Sequence, residues 1–219
     1  MSQLGALFKQ AVSTLSLPQQ SLLNIGARLG KKRGGCRVIA IMCSFYRELM
    51  KCLSPKLRDW DLAEGHRYDS ALAGNSSLRA AVLRALKVEN ATAMGMHVGH
   101  LLWDMEKFYD SIDLLVLAGE LIKRNYPSEM LILGVLAHAA PRVLKVGQCL
   151  SEVIVNTGYS MVAGCQQAVS FAHGLIWELV HTLTHRIERC PVHQHVDDLS
   201  QPIVASTGRC YGRERGQKA

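Results

Sequence analysis

The sequence predicts an α+β fold. Three observations carry that reading. Apolar residues recur at spacing three to four in several stretches, short β-branched or alternating runs occupy others, and the two kinds interleave without a regular βαβ rhythm. At 219 residues and 48% hydrophobic composition the chain can bury a sizeable core, as one large domain or two small ones.

Residues 1–27 are mildly apolar and contain Pro18, and no element is assigned to them. Lys31-Lys32-Arg33-Gly34-Gly35-Cys36-Arg37, then Val38-Ile39-Ala40-Ile41-Met42, reads as a hairpin turn leading into a strand. Leu49, Leu53 and Leu57 predict a helix over 45–57, and the polar stretch 58–75 predicts a loop. Ser76 or Ser77 can cap a helix to residue 91, with Leu78, Val82 and Leu86 on one face. Residues 96–103 form an apolar strand candidate ending at Asp104. Helices over 111–124 and 128–140 are stopped by Pro127 and Pro141, and Asp110 is placed to cap the first of them. Residues 143–155 suit a hairpin turning at Gly147-Gln148, and a long helix over 166–187 buries Val169, Ile176, Val180 and Leu183. Residues 192–196 and 200–204 read as two short strands, which puts Asp197-Asp198 at a hairpin tip. Residues 208–219 are a basic tail expected to fray. A boundary near residue 95 separates a basic region, 1–95, from an acidic-centred one, 96–219.

The net charge is +7, and the excess is local: residues 28–67 hold ten Lys and Arg against four Asp and Glu. Such a cluster suits a polyanion, the bland alternative being a solvated basic face. Seven scattered cysteines without a Cys-x-x-Cys pair point to a reducing, intracellular compartment, nucleus or cytoplasm. No apolar run reaches the roughly 18 residues of a membrane span, and the N-terminus lacks a signal-peptide pattern. Cys190-x-x-His193-x-His195 has zinc-ligand residue types but no obvious fourth ligand, Cys210 being the nearest candidate.

Adjacent carboxylates repel, so Asp197-Asp198 is either fully solvated in a turn or neutralised by cations. If the strand ending at Asp104 neighbours the hairpin, Asp104 and Asp197 can face each other and hold Mg²⁺, a hard cation that takes carboxylate oxygens and substrate phosphates.

Five blocks in order resemble a reverse transcriptase of the retroelement and group II intron kind. Lys32 through Ile39 looks like the fingers hairpin. Residues 76–91 are similar to the helix before the palm. Asp104-Met105-Glu106-Lys107-Phe108-Tyr109-Asp110-Ser111-Ile112 resembles the first palm motif, the most specific block. Gly164-Cys165-Gln166-Gln167-Ala168-Val169-Ser170 resembles the second palm motif, and His195-Val196-Asp197-Asp198 the third.

The resemblance implies a right-hand polymerase with fingers over 1–95, palm over 96–219 and the thumb absent. It implies RNA-directed DNA polymerisation, with an RNA template, a DNA primer, dNTPs and further segments of the same polyprotein as partners. Nucleotidyl transfer would use two Mg²⁺ ions, or Mn²⁺ in their place, about 4 Å apart. Asp104 and Asp197 would be the catalytic ligands, with Asp198 in support. Tyr109 would stack under the sugar and reject a 2′-hydroxyl. Lys32 and Arg37 would reach the triphosphate, and Gln166 or Gln167 the templating base pair. The chain departs from the family pattern at Val38 for Pro, His195 for an aromatic residue and Ala168 for Gly. The alternatives are an inactive retroelement remnant and a non-catalytic nucleic-acid-binding module built on the basic region.

Overall fold

The computed structural model describes residues 3–30, 32, 34–65, 69–72, 74–155, 157–162, 164–186 and 192–205, without the side chain of Arg37. They divide into two compact units, one of Met1–Gly65 with Glu106–Leu175 and one of His66–Met105 with Ile176–Ala219. The expected tail 208–219 lies outside the described residues.

The first unit opens with helix α1, Gln3–Thr14, where the sequence suggested no element. Its Leu4, Leu7 and Ala11 stripe is short, and Phe8 meets Phe45 edge-on at 5.1 Å. Strands β1, Asn24–Gly30, and β2, Cys36–Ile41, form the expected hairpin, with Gly34 and Gly35 at positive φ in the turn. Helix α2, Ser44–Glu64, runs seven residues past the expected end. Pro55 cannot donate to the Lys51 carbonyl, and Ser54 Oγ donates to it instead at 2.7 Å. Tyr46, Leu49, Met50, Leu57 and Trp60 continue one buried stripe through the proline.

After α4, Phe108–Ser111, comes α5, Leu114–Lys123. Asp113 is its N-cap, accepting from the Leu115 and Val116 amides at 2.7 and 3.2 Å. The cap expected at Asp110 is therefore misplaced by three residues, because Ile112 and Asp113 leave the helix between the two segments. Helix α6, Ser128–Ala139, ends before Pro141. Strand β4, Arg142–Val146, turns at Gly147 into β5, Cys149–Leu150. The sheet order is β2-β1-β4-β5, with β1 antiparallel to β2 and parallel to β4. Helix α7, Ala168–Arg186, begins in this unit. Its Phe171 stands where a Cβ on Gly134 of α6 would come within 2.7 Å, so the two helices meet closely there.

The second unit holds α3, Ser77–Ala93, capped by Ser76 Oγ, which accepts from the Arg79 amide at 3.2 Å. It also holds β3, His97–Trp103, β6, His193–His195, and β7, Asp198–Ala205, as a sheet of order β3-β7-β6 with both ladders antiparallel. Among the described residues no helix is long and apolar enough to cross a membrane.

Candidate functional site

The hairpin β6–β7 closes on the pair His195–Asp198, leaving Val196 and Asp197 as a two-residue turn. Val196 has φ +60°, and Asp197 is not among the positive-φ residues, the pattern of a II′ turn. A β-branched residue there is sterically strained. The turn is held from below. Gln194 is 1% exposed, and its Nε2 donates to the Val196 carbonyl at 3.1 Å. The Gln194 carbonyl accepts from the Ser70 amide at 2.9 Å and from Ser70 Oγ at 3.1 Å. Asp69 bridges Gln194, and its Oδ1 accepts from the Ala71 amide at 2.8 Å. The sequence gives no signal for this support: residues 69 and 70 sit in a stretch that reads as loop.

Register fixes where the acids stand. A two-residue hairpin closes on a hydrogen-bonded pair, so the backbone of Asp198 points to β6 and that of Leu199 to β3. The same phase turns Pro202 away from β3, where its missing amide removes no ladder bond, so the proline independently confirms the register. Trp103 pairs with Leu199. The ladder stops there, with Asp104 the residue after β3 and Asp198 the first residue of β7. The three carboxylates named by the sequence thus lie near one end of this sheet, with Asp197 in the turn next to Asp198.

Side chains alternate along a strand, so Leu102 and His100 share one face with Asp198, Ser200, His195 and His193. Asp104 and Asp198 are exposed and Asp197 partly so. Among the described residues none of the three carboxylates has a hydrogen-bond or ion-pair partner. His195 is exposed, with Nδ1 3.2 Å from Ser70 Oγ. On this face a cavity of about 440 Å³ opens beside α3, lined by Arg84, Val88, Glu89, His100, Leu102 and Ser200. Arg84 donates to Ser200 Oγ. Burial, with Arg84, Lys87 and His100 adding positive charge, lowers His193 to about 4. Three unpartnered oxygen donors suit a hard cation. Among the described residues, however, no group of three or more His, Cys, Asp or Glu side chains is gathered closely enough to hold a metal ion. Cys190 and Cys210 of the zinc reading lie outside the described residues.

The other expected site residues belong to the first unit. Lys32 is exposed in the β1–β2 turn, and the backbone of Arg37 pairs with Leu29 in that hairpin. The turn before α7 is packed against β2: Gly164 has φ +108°, and a Cβ on it would lie 3.1 Å from the Ala40 carbonyl. That turn separates the two glutamines. Gln166 is exposed. Gln167 is fully buried, donating to Tyr46 Oη at 2.8 Å and accepting from Tyr126 Oη at 2.7 Å. Its amide is therefore held in the core rather than available to a base pair. Tyr109 is partly buried in α4, edge-on to Phe108 at 5.3 Å, and its carbonyl accepts from the Met161 amide at 2.7 Å.

The sequence matches no protein-family model and no curated protein. Solved structures do resemble it. Apo telomerase from Candida tropicalis truncated from its C-terminal domain superposes with a TM-score of 0.61 at 14% identity, over 93% of this chain and 48% of that one. Telomerase from Candida albicans, in complex with a TWJ fragment of telomeric RNA, gives 0.56 at 16% identity, over 92% and 42%. A second apo telomerase structure from Candida tropicalis gives 0.57 at 14% identity, over 93% and 42%. The chain thus spans less than half the length of these structures, and none of the three is a retroelement or group II intron enzyme. At such identities the likeness is one of fold: this chain has a mixed α and β fold similar to that of these telomerase structures.

Proposed function

We propose that the chain carries the fingers and palm of an RNA-directed DNA polymerase and that Asp104, Asp197 and Asp198 form its catalytic face. The observation behind this reading is the β3–β7 register, which pairs Trp103 with Leu199, so that Asp104 and Asp198 follow at neighbouring strand ends with Asp197 in the adjoining turn. The three carboxylates would hold Mg²⁺, which when bound activates a primer hydroxyl and offsets charge on the phosphates. The chain's own part is positioning. The strained Val196 turn, tied down through Gln194, would fix Asp197 and Asp198 on a rigid base. Tyr109 would select dNTPs, and Lys32 and Arg37 would bind the triphosphate. With Gln167 buried, the role toward the templating base pair falls to Gln166. The partners would be an RNA template and a DNA primer, held largely by phosphate contacts from the basic residues of 28–67.

A second reading is favoured by one observation: among the described residues no metal-holding group of three is assembled. On that reading the chain binds nucleic acid without catalysis. Primer extension with dNTPs and Mg²⁺ on an RNA template, beside Asp197→Ala, separates the two. Synthesis that disappears in the variant supports the polymerase. Equal signals from both proteins remove it, and salt-sensitive RNA binding without synthesis leaves the binding module.

A further inference from the structure

The cavity of about 440 Å³ beside α3 has no part in the polymerase reading. Its size falls among small-molecule sites, roughly 300–1,000 Å³, which are mostly apolar with a few placed polar groups. Here Ala81, Ala85 and Val88 of α3 form the apolar wall, with Leu102 of β3 on the sheet side. The two alanines are too short to fill the space over the sheet. Leu102 is 75% exposed, so an apolar occupant would take it out of water. Arg84 and Glu89 are five residues apart, about 140° around the helix, and flank the apolar stripe from opposite sides. Arg84 is half-buried and donates to Ser200 Oγ, a neutral hydroxyl that leaves its charge unbalanced. Among the described residues no carboxylate pairs with Arg84 and no cation with Glu89. Positive charge gathers on this side: after burial, the charges of Arg84, Lys87 and His100 are what lower His193.

We infer that this cavity binds a small apolar molecule carrying a single carboxylate, the carboxylate on Arg84 and the apolar body against Ala81, Ala85, Val88 and Leu102. A guanidinium presents its N–H donors in a planar fork, and a carboxylate can take two of them side by side. A charge-assisted pair of this kind also balances a cation that the chain leaves without a partner. Glu89 on the far side, and Asp198 on the same face of the sheet, repel a second negative charge. The site therefore favours a monoanion over a nucleoside triphosphate or any other polyanion, which sets it apart from the role given to Lys32 and Arg37. None of Asp104, Asp197 and Asp198 lines the cavity, so the inference does not depend on polymerase activity.

The test is titration calorimetry of the full chain with naphthoate, its neutral amide and a naphthalene dicarboxylate, beside Arg84→Gln and Ala85→Phe. Naphthoate should bind, and the amide and the dicarboxylate should each bind at least about tenfold more weakly, as loss of a hydrogen-bonded charge or gain of a repelled one requires. Arg84→Gln should weaken naphthoate by a similar factor. Ala85→Phe, which fills the cavity from the exposed surface of α3, should abolish binding while the melting temperature stays the same. The comparison of acid with amide uses the unaltered chain, so a folding defect in Arg84→Gln cannot imitate the result. No binding of naphthoate, equal affinity for acid and amide, or binding retained in a folded Ala85→Phe would each overturn the assignment.

Discussion

Gln194 Nε2 donates to the Val196 carbonyl at 3.1 Å, and this one bond holds the tip of the hairpin that carries Asp197. Its Oε1 is buried and has no partner among the described residues. Gln194→Ala should lower stability by about 1–3 kcal/mol, since a buried bond and its packing are lost together. Gln194→Leu should recover part of that loss, because it keeps the bulk and removes the unpartnered oxygen. Denaturant melts of the three proteins check the order; a Leu variant weaker than Ala would mean that the buried amide is fully satisfied.

Val196 tests whether the turn stores strain. A β-branched residue at φ +60° costs on the order of 1–3 kcal/mol. Glycine adopts that backbone freely but loses roughly 0.5–1 kcal/mol through its looser unfolded chain. Val196→Gly should therefore stabilise the fold by about 1 kcal/mol in equilibrium unfolding. A destabilised variant would show that Val196 contributes through packing and that the turn is not strained.

Much of this was legible beforehand, for physical reasons. The β1–β2 turn and the β4–β5 turn were marked by glycines that adopt positive φ, and the β6–β7 hairpin by two short runs around adjacent acids. Helix α2 was cut short because Ser54-Pro55 reads as a stop, whereas the serine hydroxyl takes the place of the lost amide. The cap of α5 was misassigned because periodicity does not resolve a break of two residues at Ile112 and Asp113. At the site, residue types nominated Asp104, Asp197 and Asp198, but only the structure shows that β3 pairs with β7, Trp103 opposite Leu199. Nothing in the sequence separates Gln166 from Gln167; their opposite exposure follows from the Gly164 turn.

The cap offers a direct comparison. Asp113→Ala removes an acceptor from two amides of α5 and should cost about 1 kcal/mol, within the range for loss of an N-cap. Asp110→Ala should cost less, because Asp110 caps nothing and acts mainly through the nearby charge of Arg142. Thermal melts at neutral pH measure both; equal losses would contradict the assignment of the cap.

His138 should make the first unit sensitive to acid. It is fully buried, its Nδ1 accepts from the Val162 amide at 2.9 Å, and burial with Arg142 nearby lowers it to about 3. An unfolded histidine titrates near 6.5, so between about 6.5 and 3 the unfolded chain binds the extra proton. Stability contributed by neutral His138 is complete above about pH 6.5 and is lost as pH falls toward 3, by a few kcal/mol in total. His193, lowered to about 4, acts in the same direction, but it is only half-buried and solvent screening reduces its share. His138→Asn keeps an acceptor for Val162 and removes the titration. Its stability should be lower at pH 7 and flatter down to pH 4; an unchanged slope would place the acid sensitivity elsewhere.

The carboxylate face can be tested without any assay of synthesis. Asp104 and Asp198 flank the Trp103–Leu199 pair at neighbouring ends of β3 and β7, and like charges brought near each other repel. In EDTA, Asp104→Asn should therefore melt at a higher temperature than the wild type. Mg²⁺ should reverse the order. An ion that binds the folded state alone raises stability with concentration, by roughly 2.7 kcal/mol at a hundredfold excess over its dissociation constant. The wild type should gain from Mg²⁺, while Asp104→Asn, with one ligand oxygen replaced by an amide donor, should gain little. Asp197→Asn should also lose the Mg²⁺ effect, but with a smaller gain in EDTA, because Asp197 lies in the turn, open to solvent screening. A Mg²⁺ response identical in all three proteins would show that these acids do not hold the ion, and the catalytic face would then have to be abandoned.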